Sequence, residues 1–307
     1  MTATAYLSAP EYVLGEHRDE YRNAPVLAEK AMKLSLPLQP QVWGWGAFFR
    51  TDRSVADLAA HSARRTLDAA AVAPATVDGL IACTTAFPQD VESHAPYLGR
   101  LLSAAGLPAV SFAAGVTLNR CNNMLAALTM ATALVRSRTL RTVLVVTADR
   151  VREEADRLES FALFSDGAAS CVVADRPLGT PSFAVLDCAA EQNTAALVET
   201  EQIDSRLAAK VTARLCASAG VVPCEIAALL TANLVRPLLS MKERQAGMAV
   251  EQLRTANIER VGHCFAADPV LNLADLVAAR DTTVGANYLL AASVPGARHG
   301  VLLRRTA

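Results

Sequence analysis

The most constraining feature of this sequence is the order of its apolar segments, in which short β-rich runs alternate with longer alanine-rich stretches. The run VDGLIACTTA is followed by a helical pattern over residues 95–105, by VSFAAG, by a helical pattern over residues 122–136 and by TVLVVTADR. Strands that are apolar on both faces are typical of sheets covered by helices on each side. The alternation therefore predicts an α/β fold with buried strands.

The second half of the chain repeats the pattern of the first half. TLDAAAVAP leads into VDGLIACTTA much as TARLCASAGVVP leads into EIAALLTAN, and TLRTVLVVTADRV is echoed by DTTVGANYLLAASVPG. Such a repeat indicates two similar α/β halves around a shared core. Pro and Gly in RPLGTP mark a turn between them. We predict halves of residues 1–175 and 176–307, with functional loops where the halves join.

Composition excludes several classes of protein. The 307 residues are 52% hydrophobic, which is enough apolar surface for a substantial core. Twenty-nine basic residues face thirty acidic ones, so the net charge of -1 creates no overall field that attracts nucleic acid or an anionic membrane. The apolar stretches are short and interrupted, and the first residues lack the pattern of a signal peptide, so a soluble cytoplasmic protein is expected.

Seven cysteines are scattered through apolar segments without the paired spacing of metal ligands. Neither a disulfide framework nor a zinc site is predicted, and no metal or redox cofactor is expected. Most of these cysteines are interpreted as small buried hydrophobic residues.

Cys121 stands apart by its position. In SFAAGVTLNRCNNMLAALTMATALVRS it follows a predicted strand and loop and opens a long predicted helix. A thiol at a helix N-terminus lies beside unpaired backbone N–H groups, which favour the nucleophilic thiolate and can hold an oxyanion. Inert burial is the alternative for any single cysteine.

Several motifs in order resemble the ketosynthase III branch of the thiolase superfamily: VDGLIACTTAFPQD, Cys121 with its helix, TVLVVTADR, LFSDGAASCVVAD, LLTANLVRPLL, GHCFAADPVLNLADL and ASVPGARHGVLLRR. The resemblance implies a thiolase fold, two α/β halves stacked as a five-layered αβαβα core. It also implies an acyl thioester of coenzyme A or of an acyl carrier protein as substrate, and a homodimer paired through the strand before the nucleophile.

This chain departs from the Cys-His-Asn triad of the family. The family histidine falls on Leu230 and the family asparagine on His263, while Asn233 keeps a supporting position. Decarboxylative condensation needs two donors at the thioester oxygen, and losing one typically costs about 10²–10³ in rate. Leu230 therefore argues against condensation, whereas Cys121 and His263 suffice for simple acyl transfer.

Asp268 has two interpretations. It lies five residues after His263 and could orient the imidazole, completing a Cys-His-Asp arrangement. Followed by Pro269 and an apolar run, it also fits a helix N-cap, and the cap is slightly favoured although one residue could fill both roles. The other four histidines are read as surface or packing residues.

The resemblance also implies an oxyanion donor in the SVPG segment. Pro295 has no N–H, so the donor would be Val294 or Gly296, and Leu230 is taken as a neighbouring substrate-binding position.

The sequence thus predicts an acyltransferase that moves an acyl group from a thioester through Cys121 to a hydroxyl, amine or thiol acceptor in secondary metabolism. The stretch of residues 176–207 is short for this family, which suits an open site and a bulky small-molecule acceptor. Two alternatives stay open: decarboxylative Claisen condensation, and a catalytically silent partner subunit of a thiolase-fold heterodimer. Neither nucleic acid nor a membrane is expected as a partner.

Overall fold

A computed structural model describes residues 4–199 and 203–306. The strands are β1 (Tyr6–Leu14), β2 (His17–Glu20), β3 (Ala47–Arg50), β4 (Gly79–Cys83), β5 (Phe112–Val116), β6 (Thr142–Asp149), β7 (Leu158–Glu159), β8 (Ala162–Leu163), β9 (Gly167–Ala174), β10 (Ser182–Gln192), β11 (Ile226–Thr231), β12 (Asn287–Val294) and β13 (Ala297–Arg305). The helices are α1 (Leu27–Lys33), α2 (Pro40–Trp43), α3 (Val55–Ala69), α4 (His94–Ala105), α5 (Asn123–Arg136), α6 (Thr194–Glu199), α7 (Ser205–Ala219), α8 (Arg236–Gln245), α9 (Ala256–Arg260) and α10 (Asp268–Ala278).

Nine strands form one continuous hydrogen-bonded sheet in the order β11-β12-β13-β10-β1-β9-β6-β4-β5. Strand β1 joins the two halves, because Tyr6–Ser8 pairs with β10 while the whole strand runs against β9. The register shifts between Ser8 and Glu11, where Ala9 has a positive φ of 48°. Such an irregularity bends a strand, so the two parts of the sheet can diverge.

The two parts of the sheet enclose the helices α5 and α10. Alternate residues of each strand face opposite sides, so Ile81 of β4 packs into the central cluster with α5 and α10 while Leu80 packs outward with α3 and α4. In the second half, Leu230 faces the same central cluster and Leu229 packs outward with α7. The resulting order of helix, sheet, helix, sheet and helix confirms the five-layered core.

The predicted elements and the internal repeat are present in the structure. Helix α3, a 3-10 turn that begins at Pro74 and strand β4 correspond to helix α7, a 3-10 turn that begins at Pro223 and strand β11. The central helix α5 begins at Asn123, one residue later than predicted, because Arg120–Asn122 forms a separate 3-10 turn. Among the described residues, no helix is both long and apolar enough to cross a membrane.

Candidate active site

Cys121 lies in the 3-10 turn between β5 and α5, where it is half-buried. The side chain of Asn123 fixes this turn, because its Oδ1 accepts the Asn119 N–H at 2.9 Å. Cys83, Cys171 and Cys264, in contrast, are fully buried, and burial raises their thiol pKa values well above the usual range. Their position in the core excludes them as nucleophiles.

His263 comes from the second half of the chain but is anchored on the first. Its N–H donates to the Leu163 carbonyl at 2.8 Å, and its own carbonyl accepts the Ser165 N–H at 2.9 Å. The preceding Gly262 has a φ of 78°, and a Cβ there would lie 2.7 Å from the Leu163 carbonyl oxygen, so only glycine fits. This anchoring places Nε2 of the buried imidazole 3.3 Å from the Cys121 Sγ.

Asp268 holds the other nitrogen of the imidazole. Its Oδ2 lies 2.5 Å from His263 Nδ1 and also accepts the Asn233 N–H at 2.6 Å, while its Oδ1 accepts the Cys264 N–H at 2.8 Å. The preference for a helix cap is corrected: Asp268 is the first residue of α10, not the residue before it, and no side-chain bond caps this helix. The hydrogen bonds of its carboxylate go to residues 233, 263 and 264, which lie outside α10.

The charges around His263 decide its protonation state. Burial lowers the pKa of the imidazole, but the Asp268 carboxylate and the Cys121 sulfur outweigh burial and raise the pKa to about 10. Near neutral pH the ring is therefore an imidazolium with the carboxylate on one nitrogen and the sulfur on the other. A positive charge in this place stabilises negative charge on the sulfur as it attacks an acyl group.

The predicted oxyanion segment lies beside the nucleophile. Val294 and Ala297 are paired across a two-residue turn of Pro295 and Gly296, in which Gly296 has a φ of 74°. Arg120, directly before Cys121, donates from Nη2 to the Pro295 carbonyl at 3.0 Å. The turn is thus tied to the nucleophile, and whether Val294 or Gly296 donates to an oxyanion stays a prediction.

Comparisons with known proteins find similarity to synthase III proteins around the nucleophile. The family model for 3-oxoacyl-[acyl-carrier-protein] synthase III matches residues 117–193, which include Cys121. The chain is 31% identical over 124 residues to β-ketoacyl-[acyl-carrier-protein] synthase III 1 of Vibrio parahaemolyticus, covering 40% of this chain and 38% of that protein. It is 33% identical over 139 residues to the synthase III of Rubrobacter xylanophilus, covering 44% and 42%. These alignments span about two fifths of each relative.

Solved structures extend the likeness over the whole chain. The acyltransferase ChlB3 superposes with a TM-score of 0.82 at 17% identity, covering 99% of this chain and 98% of ChlB3. OleA of Xanthomonas campestris superposes with a TM-score of 0.82 at 14% identity over 99% and 100%, and 3-oxoacyl-[acyl-carrier-protein] synthase III of Aquifex aeolicus with 0.79 at 16% over 98% and 99%. Identities this low establish the thiolase fold alone.

The chain therefore has the thiolase fold, and its residues 117–193 are similar to the 3-oxoacyl-[acyl-carrier-protein] synthase III family.

Leu230 and Asn233 are the two predicted site residues that lie behind the Cys121–His263 pair. Leu230 is fully buried in the central cluster and offers neither a polar atom nor accessible surface. Asn233 donates its N–H to Asp268 and its Nδ2 to the Gly262 carbonyl at 2.9 Å, so it supports the loop before His263. Both were predicted as site residues, and their roles toward a substrate stay predictions.

Three phenylalanines surround the imidazole and were missed from the sequence. The ring centroids of Phe164, Phe265 and Phe161 lie 5.0, 6.0 and 6.5 Å from that of His263. Aromatic faces within about 6 Å attract a cation, so Phe164 and Phe265 stabilise the imidazolium. Phe161 lies just beyond this distance and meets the ring edge-on. The nearest signal in the sequence is the aromatic spacing of SFALFSDG, which is equally typical of core packing.

Asp149 is a second buried carboxyl group near the site. At the end of β6, its Oδ1 accepts from the Thr84 hydroxyl, the Thr85 N–H and the Thr85 hydroxyl at 2.6–3.0 Å, while its Oδ2 has no partner among the described residues. Burial raises its pKa to about 6, although these bonds and the positive charge of His263 oppose the increase. No sequence pattern distinguishes this aspartate from others at strand ends.

Proposed function

We propose that this chain is a ketosynthase III-like acyltransferase of the thiolase superfamily, which moves an acyl group from a coenzyme A or carrier-protein thioester through Cys121 to a hydroxyl, amine or thiol acceptor. The observation that carries the proposal is the line of contacts from Cys121 Sγ to His263 Nε2 and from His263 Nδ1 to Asp268, at 3.3 and 2.5 Å. A nucleophile, a base and a carboxylate that orients the base are the parts that acyl transfer needs.

In the first half-reaction the Cys121 sulfur attacks the carbonyl carbon of the thioester. Backbone N–H groups hold the oxyanion of the tetrahedral intermediate, those of Cys121 and of Val294 or Gly296 being the candidates. Collapse breaks the bond from carbon to the donor sulfur. The departing sulfur takes the proton from the His263 imidazolium, which leaves an acyl-enzyme and a neutral imidazole.

In the second half-reaction the neutral imidazole acts as general base. His263 Nε2 takes the proton of the acceptor while its oxygen, nitrogen or sulfur attacks the acyl carbon. The bond to Cys121 breaks, and the imidazolium beside the released sulfur is restored. Asp268 favours the protonated ring and keeps Nε2 directed at the reacting atoms throughout.

The same residues support condensation less well. Decarboxylation of a malonyl thioester needs two donors at the developing enolate oxygen, and Leu230 supplies none at the position where the family resemblance implies a histidine. The imidazolium of His263 is engaged at both nitrogens, by Asp268 and by Cys121. A single imidazolium held at both nitrogens is better suited to proton transfer at the Cys121 sulfur than to holding an enolate oxygen.

A mostly apolar cavity of about 620 Å³ can accept the apolar part of a donor or an acceptor. Cys121 is not among its lining residues, but Thr117, four positions before it, is. The cavity is lined by Thr85, Phe87, Tyr97, Leu98, Gly115 and Thr117, among others. Similarity in fold to ChlB3, which is named as an acyltransferase, supports acyl transfer. The resemblance of the sequence motifs to the family is the basis for proposing a role in secondary metabolism. By resemblance we also propose a homodimer.

The proposal is tested by loading the protein with an acyl-coenzyme A and then offering, in parallel, small alcohol, amine and thiol acceptors or a malonyl thioester. Mass spectrometry of the products is expected to find the acyl ester, amide or thioester. A β-ketoacyl product formed with loss of carbon dioxide would identify condensation instead. Absence of any acyl-enzyme at saturating thioester would indicate the silent partner subunit.

A further inference from the structure

Helix α10 carries a stripe of three polar residues. The acyl-transfer mechanism described above uses only the first of them. Asp268, Asn272 and Asp275 are the three polar residues of an otherwise apolar helix. Their spacing of four and then three residues places them on one face. A buried polar face of this kind needs partners for every group on it, because an unpaired buried amide or carboxylate is costly.

Asn272 is nearly fully buried and has all of its bonds on this face. Its Nδ2 donates to the Thr231 carbonyl at 2.8 Å and to the Asn233 Oδ1 at 3.1 Å. Its Oδ1 accepts from the Asn257 Nδ2 at 2.7 Å. One carboxamide therefore holds both ends of the segment from Thr231 to Asn233.

The Asp268 carboxylate, which orients the base, also holds this segment. The Asn233 N–H donates to Asp268 Oδ2, the oxygen that also contacts His263 Nδ1. Two side chains one helical turn apart thus hold one short loop: the Asp268 carboxylate accepts the Asn233 N–H, and the Asn272 carboxamide donates to the Thr231 carbonyl and the Asn233 Oδ1. Movement of the loop would change the angle at which Asp268 meets the imidazole.

Asn257 links Asn272 to Asp275, the last polar residue of the stripe. Its Nδ2 also donates to Asp275 Oδ2 at 2.6 Å, and its Oδ1 accepts from Arg260, which forms an ion pair with Asp275. The amide of Asn272 therefore cannot rotate without breaking bonds on both of its sides. Such a network fixes one orientation of its members when every member is satisfied.

We propose that Asn272 is a positioning residue that keeps the Asp268 carboxylate aligned with His263 by clamping the loop from Thr231 to Asn233. The inference rests on the Cys121–His263–Asp268 chemistry proposed above. On this proposal, a second residue of α10 besides Asp268 helps to position the base.

The test is a double-mutant cycle of Asn272→Ala and Asp268→Asn, with the reactivity of Cys121 as the readout. Iodoacetamide is added to the full-length chain at pH 7, and alkylation is followed by mass at the peptide that carries Cys121. Asn272→Ala is expected to slow this alkylation by about tenfold, the factor worth one buried hydrogen bond. In the Asp268→Asn background, the same substitution is expected to add nothing, since its effect passes through Asp268.

Asn287→Ala is the matched control. Asn287 is also a buried asparagine, but it is the first residue of β12, at the opposite end of the strand from Val294, and it accepts a hydrogen bond from Arg304. It is expected to lower stability without slowing alkylation. If Asn272→Ala does not fold, Asn272→Asp, which keeps the volume and the bond from Asn257, replaces it in the cycle.

The proposal is overturned if the Asn272 substitution leaves the rate unchanged, or if it slows alkylation equally with aspartate and with asparagine at position 268. Alkylation needs no acyl donor, so the two proposals can fail separately. A protein that is never acylated but shows the expected cycle would refute the acyltransferase and leave the positioning role of Asn272.

Discussion

At the scale of single residues, the chemistry depends on where the imidazole stands. Position 263 gives the ring a sulfur on one nitrogen and a buried carboxylate on the other, whereas position 230 holds a leucine in the apolar core. Cys121 and His263 could be predicted because motif order fixes their places in the family pattern. Phe161, Phe164 and Phe265 could not, because only the folded chain brings their rings around the imidazole.

Replacing His263 tests its role as base. We expect His263→Asn to reduce single-turnover transfer from the acyl-enzyme to an acceptor by about 10²–10⁴, the usual contribution of general acid–base catalysis. Rapid-quench mass spectrometry measures the rate. His299→Asn is the control, since His299 is also buried but lies on β13 and has no hydrogen bond from its Nδ1 among the described residues. Equal losses in both variants would remove His263 from the mechanism.

The raised pKa of His263 predicts a pH-dependent stability. A folded-state pKa of about 10 lies above the ordinary value of 6.5, so the imidazolium stabilises the fold fully below pH 6.5 and this contribution is lost as pH rises through 10. The free energy of unfolding of the wild type, relative to His263→Asn, should fall across that window by at most about 1.4 kcal/mol per pH unit. Denaturant titrations at several pH values measure the difference, and a constant difference would contradict a charged His263.

At the scale of elements, the order and type of strands and helices followed from hydrophobic patterning, since buried strands and alanine-rich helices have distinct periods. The role of Asp268 did not follow, because the residues Asp-Pro before an apolar run fit a helix cap equally well. Its hydrogen-bond partners come from residues 233, 263 and 264, which no local pattern places together. The polar spacing of Asp268, Asn272 and Asp275 was visible in the sequence, and helical geometry could have flagged it.

The turn between β12 and β13 offers a test at this scale. Gly296 has a φ of 74°, and a Cβ there would lie 2.7 Å from the Leu197 nitrogen of α6. Gly296→Ala is therefore expected to lower stability by more than the roughly 1–2 kcal/mol of left-handed strain alone, and to slow acylation of Cys121 by displacing the Val294 backbone.

Gly285→Ala separates the two effects of that substitution. Gly285 has a similar φ of 85° but nothing within 4 Å of a Cβ. It should lose only the conformational part of the stability and retain the acylation rate. Thermal unfolding and intact-mass kinetics measure both quantities. Matching acylation rates for the two variants would mean that the β12–β13 turn takes no part in the chemistry.

At the scale of the whole molecule, one sheet links both halves, and it ends at β5, the strand that leads to the nucleophile. The outer edge of β5 has no neighbour in the described chain, and its Phe-Ala-Ala-Gly-Val sequence carries no charge that would discourage pairing. The five layers followed from family resemblance. That the two parts of the sheet are joined through Tyr6–Ser8 did not, since pairing between distant strands leaves no local trace.

This free edge predicts how the proposed homodimer forms. Wild type is expected to sediment at twice its mass of 32.4 kDa, and Ala113→Lys on β5 to shift the protein toward the monomer, because a charge on an edge strand opposes pairing. Ala213→Lys, on the exposed side of α7, should leave the dimer intact. Analytical ultracentrifugation at several concentrations measures the effect. A wild type that is monomeric throughout would refute pairing through β5.

The most direct measurement is intact-mass analysis of wild type and Cys121→Ala after incubation with a panel of acyl thioesters. Wild type is predicted to gain the mass of one acyl group, and Cys121→Ala to gain none with the same donors. An adduct that persists in Cys121→Ala would contradict the assignment of Cys121 as the residue that carries the acyl group.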